Sequence, residues 1–227
     1  MQTPAPSLLP FQALLAQVVS VQDPDGLNRV QVKLLSYDGV SDQVSDLWAR
    51  VAVPFAGGNR GAFMIPEVGD EVLVTFVNGD SRFPVVIGSL WNGSDQAPET
   101  LGGSGNEIDR WTIVGKAGTR IAIEEPASGQ PTIKLTTPNG VSAELTDMGG
   151  GKIECKGAGT TITVNSSGVS IQCPALVKVQ ASTVEVKAGM VTVDAAMSKF
   201  SGVVKCDTLI TNAVVSTSYT PGAGNIW

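Results

Sequence analysis
The chain has 227 residues, 42% hydrophobic and 16% charged, enough for one or two packed domains and too apolar for a disordered chain, and no apolar run approaches the roughly 18 residues of a membrane span. It contains no histidine, which removes imidazole base catalysis, Ser-His-Asp and Cys-His nucleophiles, and His-ligated metal. The net charge of −6 is uneven: residues 1–111 carry 13 of the 21 acids and 6 of the 15 bases, so the front half opposes polyanions such as nucleic acid, while the remainder is near neutral.

The opening residues 1–13 are Pro- and Leu-containing without periodicity and are expected to form an extended arm. They lack a basic stretch followed by an apolar one, so no signal peptide is expected and synthesis is placed in the cytoplasm. From Leu14 the pattern alternates: Gln17–Val21, a turn at Asp23-Pro24-Asp25-Gly26, then Arg29–Leu34, a hairpin in which Pro presets φ and Gly permits the left-handed conformation. A polar loop from Ser36 to Asp46 precedes a strand at Trp48–Val53, a glycine loop at Gly57–Gly61 and a short strand at Ala62–Ile65. The strand Glu71–Phe76, a turn at Asn78-Gly79-Asp80 and the stretch Pro84–Gly93 complete what reads as a small barrel over 14–93. Residues 94–111, rich in Gly, Ser and Asp, read as a linker.

Beyond the linker, over 112–218, apolar-x-apolar doublets recur at Ile121/Ile123, Ile133/Leu135, Val141/Ala143/Leu145, Ile153/Cys155, Ile162/Val164, Val169/Ile171, Val177/Val179, Val184/Val186 and Val191/Val193. Their first residues are 12, 8, 12, 9, 7, 8, 7 and 7 positions apart, a stack of very short strands, with polar neighbours such as Thr163, Lys178, Glu185 and Thr192 on the opposite face. Phe200 is the only aromatic residue between Trp111 and Tyr219, so the interior is narrow and one chain gains little area per residue from it. Either a single chain coils into a solenoid of stacked rungs, or several identical chains wind about one axis and cover each other's apolar face.

The motifs that invite a chemical reading are structural. Glu124 and Glu125 are adjacent on a strand, point to opposite faces and cannot flank one bond. Gly57-Gly58-Asn59-Arg60-Gly61 lacks the spacing of a phosphate loop and no helical pattern follows it. Cys155, Cys173 and Cys206 lie 18 and 33 residues apart, neither a disulfide framework nor a metal pair, and are expected to be buried reduced thiols. The expectation is an all-β protein with no catalytic residues, no cofactor and no metal site.

The run Trp48-Ala49-Arg50-Val51-Ala52, then Gly61–Val74 containing Pro66-Glu67-Val68-Gly69-Asp70, then Gly79-Asp80 and Pro84–Gly93, resembles the OB-fold barrel of contractile-tail spike proteins. That family includes phage baseplate assembly protein V, the VgrG spikes of type VI secretion and the spikes of extracellular injection particles. The doublet half resembles the intertwined homotrimeric β-helix needle that follows this barrel in those spikes. What the resemblance implies is a homotrimer that punctures a target membrane, with needle-core residues Ile162, Val164, Val169, Ile171, Val177, Val179, Val184, Val186, Val191 and Val193. With thirteen residues ahead of the barrel, the ring-forming hub is expected to be a separate protein, and the linker is too short to hold the muramidase that some phage spikes insert. No histidine is present for the metal-binding apex of short phage spikes, so the segment 219–227, with Tyr219, Ile226 and Trp227, is expected to be a blunt end that docks a PAAR-type tip protein. The competing expectation is a monomeric β-solenoid, a carbohydrate-binding or adhesin module.

Overall fold
The computed structural model describes residues 13–37, 46–103, 105–127 and 129–217. The chain divides into two units, Met1–Leu176 and Val177–Trp227. In the first unit, β1 (Leu14–Ser20), β2 (Val30–Leu34), β3 (Asp46–Val51), β6 (Glu71–Phe76) and β7 (Pro84–Leu90) form a closed barrel in the order β1-β2-β3-β7-β6, closed by the β1–β6 pairing. Neighbours pair antiparallel except β3 and β7, which run parallel through Arg50–Val85 and Val51–Val86. This strand order is that of a five-stranded OB barrel.

Alternation explains why these segments close. In β2, Val30, Val32 and Leu34 are buried while Gln31 and Lys33 lie on the outer face, and β1, β6, β7 and β3 contribute Ala16, Val18, Val72, Val74, Val86 and Ala49 to the same interior. Among the described residues the buried centre is Val, Ala and one Leu, small enough for five strands to curve tightly around it, with Leu14, Leu47, Val51, Ile65 and Phe76 packed against it. Register shifts at Val18/Ser20 in β1 and Leu73/Val74 in β6 mark local irregularities of the kind that add curvature.

Two expectations for the barrel need correction. Residues 62–65 form no strand: Phe63 and Met64 are both exposed, so the alternation fails, and no neighbouring strand pairs with them. The glycine loop is instead a hairpin, β4 (Ala56–Gly57) with β5 (Arg60–Gly61), turning through Gly58 and a left-handed Asn59.

The second part of this unit is a seven-stranded antiparallel meander: β8 (Arg110–Val114), β9 (Arg120–Glu124), β10 (Thr132–Thr136), β11 (Ser142–Thr146), β12 (Lys152–Gly157), β13 (Thr160–Asn165) and β14 (Gly168–Gln172), each paired with its neighbours in sequence. The β12–β13 turn is built on Ala158 and Gly159, both with positive φ, as the twist of a tight hairpin requires. Adjacent strands run antiparallel within one chain, unlike the parallel stacked rungs of a solenoid. From Cys173 to Thr217 no strand is present among the described residues, and every residue there but Cys173 is exposed. The cysteines are free, as expected, but they are not buried: Cys155 and Cys206 are exposed and Cys173 is half-covered. For Cys155 the reason is that it belongs to a sheet face that no described residue covers.

Candidate assembly interface
Because side chains alternate and the strands pair without offset, the meander sorts its residues into two contrasting faces. On one face, Ile123 stands opposite Trp111 and Ile133, Ile121 opposite Ile113 and Leu135, and Ile133 and Leu135 opposite Leu145 and Ala143. The ladder continues through Leu145–Ile153, Ala143–Cys155, Ile153–Val164, Cys155–Ile162, Ile162–Ile171 and Val164–Val169. These are contacts of the kind that stabilise sheets, yet the face itself is open: Ile121 is 47% exposed and Leu135 is 44% exposed. Two shallow troughs run along it, one of about 830 Å³ between Ile123, Ile133, Leu145 and Ile153, the other of about 590 Å³ between Ile121, Leu135, Ala143 and Cys155. A contiguous apolar surface crossing seven strands far exceeds the scattered exposed residues normal for a monomer.

The opposite face is polar and carries the charges. Lys134 pairs with Glu144 (3.7 Å), Lys152 with Glu144 (3.4 Å) and Glu154 (3.6 Å), and Lys156 with Glu154. The Lys156 ammonium, hydrogen-bonded to Glu154, lowers that carboxyl's pKa. At the β8–β9 end the charges become a clasp on the preceding segment. Glu99 accepts from Arg120 and pairs with Arg110 at 3.5 Å, Arg120 reaches Glu124 at 2.6 Å, and the Asp109 carboxylate takes Arg110 Nε at 2.8 Å and the Gly102 amide at 3.2 Å. Glu125 N donates to Asp109 O at 2.7 Å, and Ala122, between the two charged ends of β9, is 0% exposed. Arg120 above all lowers the pKa of Glu99, and Arg110 that of Asp109. Glu99, Gly102 and Asp109, within the stretch 94–111 expected as a plain linker, are thus strapped to the sheet. The opposite charges were visible in the sequence, but nothing in the spacing paired Glu99 with a residue 21 positions away.

The needle-core residues of the sequence analysis fall into two groups. Ile162 and Val164 in β13 face Ile171 and Val169 in β14 directly, and all four lie on the open apolar face. Val177, Val179, Val184, Val186, Val191 and Val193 lie in the second unit, each exposed and outside any strand. Tyr219, Ile226 and Trp227 lie outside the described residues. No group of His, Cys, Asp or Glu among the described residues is arranged to hold a metal ion, and no helix of the described residues is long and apolar enough to cross a membrane.

The barrel connects to known proteins. The family profile of the type VI secretion system/phage-baseplate injector OB domain matches residues 14–91. The type VI secretion system spike protein VgrG3 of Vibrio cholerae is 41% identical over 61 residues, 27% of this chain and 6% of that protein. VgrG1a of Pseudomonas aeruginosa, named as the same kind of spike, is 33% identical over 79 residues, 35% of this chain and 12% of its own. VgrG4b of the same organism is 38% identical over 78 residues, 34% and 10% respectively. The chain thus spans only about a tenth of the length of the curated relatives it matches, and the matches cover about a third of the chain or less. Over residues 14–91, whose closed barrel has the OB strand order, the chain is similar to the type VI secretion/phage-baseplate injector OB domain and to the matching stretch of the VgrG spike proteins.

Proposed function
We propose that the chain is the central spike of a contractile injection particle, a homotrimer whose barrels form a collar and whose C-terminal half forms a membrane-puncturing needle. The observation that carries this reading is the open apolar face of the β8–β14 sheet, attached in sequence to an injector OB domain. Since strands β8 to β14 pair with one another within one chain, three copies would meet there as three sheets turned apolar face inward, a prism with the ion-pair ladder outside. Residues 177–217 have no such internal ladder, and their Val-x-Val repeats at Val177/Val179, Val184/Val186 and Val191/Val193 are where the three chains intertwine. Covering a half-exposed Ile or Val contributes on the order of 1 kcal/mol, so a dozen such residues per chain hold the trimer firmly.

In this reading the collar joins a separate hub protein, the far end carries a PAAR-type tip protein, and the role is mechanical, with no catalysis by the chain itself. The test is native mass spectrometry of the purified full-length chain together with negative-stain imaging. Three chains per particle and a thin rod with a wider head are expected; a monomer at micromolar concentration overturns the proposal.

A further inference from the structure
We propose that the groove between the end of β3 and the β4–β5 hairpin of the barrel binds an extended acidic segment of another protein. Carboxylates of that segment would sit on Arg50 and Arg60, and its apolar side chains on the floor between them. The inference needs only the barrel and stands independently of the trimer.

The groove encloses about 600 Å³. Its floor is apolar, with Val51, Val53 and Ile65 half-buried, and Phe63, at the rim, is 79% exposed. The charge pattern singles the groove out. The chain has six arginines, and four of them are matched: Arg29 to Asp23 and Asp25, Arg82 to Asp80, Arg110 to Asp109 and Glu99, and Arg120 to Glu99 and Glu124. Arg50 and Arg60 are exposed and have no carboxylate partner among the described residues, and both line this groove. In a chain of net charge −6, two unmatched guanidinium groups at one apolar groove are a complement for carboxylates supplied from outside.

The hairpin is shaped to present Arg60. A Cβ on Gly57 would lie 2.7 Å from Arg60 Nε, so the guanidinium lies across the space this glycine leaves. A Cβ on Gly61 would lie 2.9 Å from the Phe55 carbonyl oxygen, which ties the hairpin's return strand closely against its start. An apolar floor with a cation at the hairpin and another on the strand suits a peptide that alternates acidic and apolar side chains along an extended backbone. A nucleic acid fits less well, because its affinity rests on neutralising many phosphates and the groove offers two cations.

The experiment is fluorescence anisotropy of a fluorescein-labelled peptide alternating aspartate and leucine, titrated with the full-length protein. The lysine–leucine counterpart and a labelled oligothymidine serve as comparisons. Saturable binding of the acidic peptide alone is expected, weakening with salt and falling at least about tenfold in Arg50→Glu/Arg60→Glu. Gly57→Val, which displaces Arg60 without removing it, is expected to weaken binding as well. Should the double charge reversal unfold, Arg60→Gln on the exposed hairpin gives the same test. The proposal is overturned if the acidic peptide does not saturate by the millimolar range, if the arginine variants bind it equally, or if oligothymidine binds more tightly. It is also overturned if sedimentation without peptide shows that the arginine variants change the number of chains per particle, which would make the groove an interface between copies.

Discussion
Asp23 shows how a single side chain holds an irregular stretch of the barrel. It is 4% exposed at its side chain, and its two oxygens accept from the amides of Asp25, Leu27 and Arg29 and from the Arg29 guanidinium at 2.7 Å, while Arg29 lies 5.7 Å above the Trp48 ring. The Arg29 guanidinium, with those amides, holds the Asp23 carboxyl below the usual carboxylate range. A depressed folded-state pKa contributes stability that is present above the unfolded value, near 4, and is lost as pH falls through the folded value. The barrel's thermal midpoint is therefore expected to be flat from neutral pH to about 5 and to decline in acid below that. Asp23→Ala, which leaves three amides and a guanidinium short of an acceptor, is expected to lower the midpoint at neutral pH by several degrees and to flatten its acid dependence. An unchanged midpoint by circular dichroism would show that the loop is held by the flanking strands alone. The hairpin turn at Asp23–Gly26 was legible in the sequence from its Pro and Gly; the part Asp23 plays was not, because a side chain that accepts from four donors is indistinguishable in sequence from any other turn aspartate.

Among the elements, the strap formed by Glu99, Gly102 and Asp109 invites the most direct intervention. Glu99 is 17% exposed at its side chain and shared by Arg110 and Arg120, which makes it a partly buried network and not an isolated surface pair. Glu99→Gln is expected to free this segment, so that limited proteolysis cuts between the barrel and the β8–β14 sheet many times faster, while Glu67→Gln, which breaks only the exposed Lys116–Glu67 pair, leaves the cutting rate unchanged. Equal protection of the Glu99 variant would mean that the backbone bond from Glu125 to Asp109 suffices. The strands were readable from alternation: the expected starts and ends at Glu71–Phe76 and Pro84 agree with β6 and β7, and the doublets at Ile121/Ile123 through Val169/Ile171 each lie on a strand of the meander or run into one. Alternation also identified the apolar face. It could not reveal that these strands pair within one chain, because local antiparallel pairing and exchange between chains make the same demand on side-chain pattern. The Ala62–Ile65 segment was misread because a short apolar run flanked by Gly and Pro has the composition of a strand without a partner to pair with.

At the scale of the whole molecule, the second unit poses a stricter question than the first, because its apolar residues have neither strand partners nor cover in the described chain. Val186 is 67% exposed, and its neighbours Glu185 and Lys187 pair with each other at 2.9 Å. In a trimer wound about one axis, Val186→Asp sets three carboxylates around that axis, combining the cost of desolvating a charge with mutual repulsion, several kcal/mol in all. Soluble trimer is expected to be lost at neutral pH, and to return in part in acid as the carboxylates take up protons; Val179→Asp is expected to behave alike. Lys178→Asp, on the alternate side, keeps its charge in water and is expected to leave the trimer intact. Size-exclusion chromatography with light scattering at two pH values separates the outcomes. If the lysine variant dissociates and the valine variants do not, the inward and outward sides of 177–193 are assigned the wrong way round. If all of them stay trimeric, assembly rests on the β8–β14 face alone, where Leu135→Asp would then be the substitution that dissociates the particle.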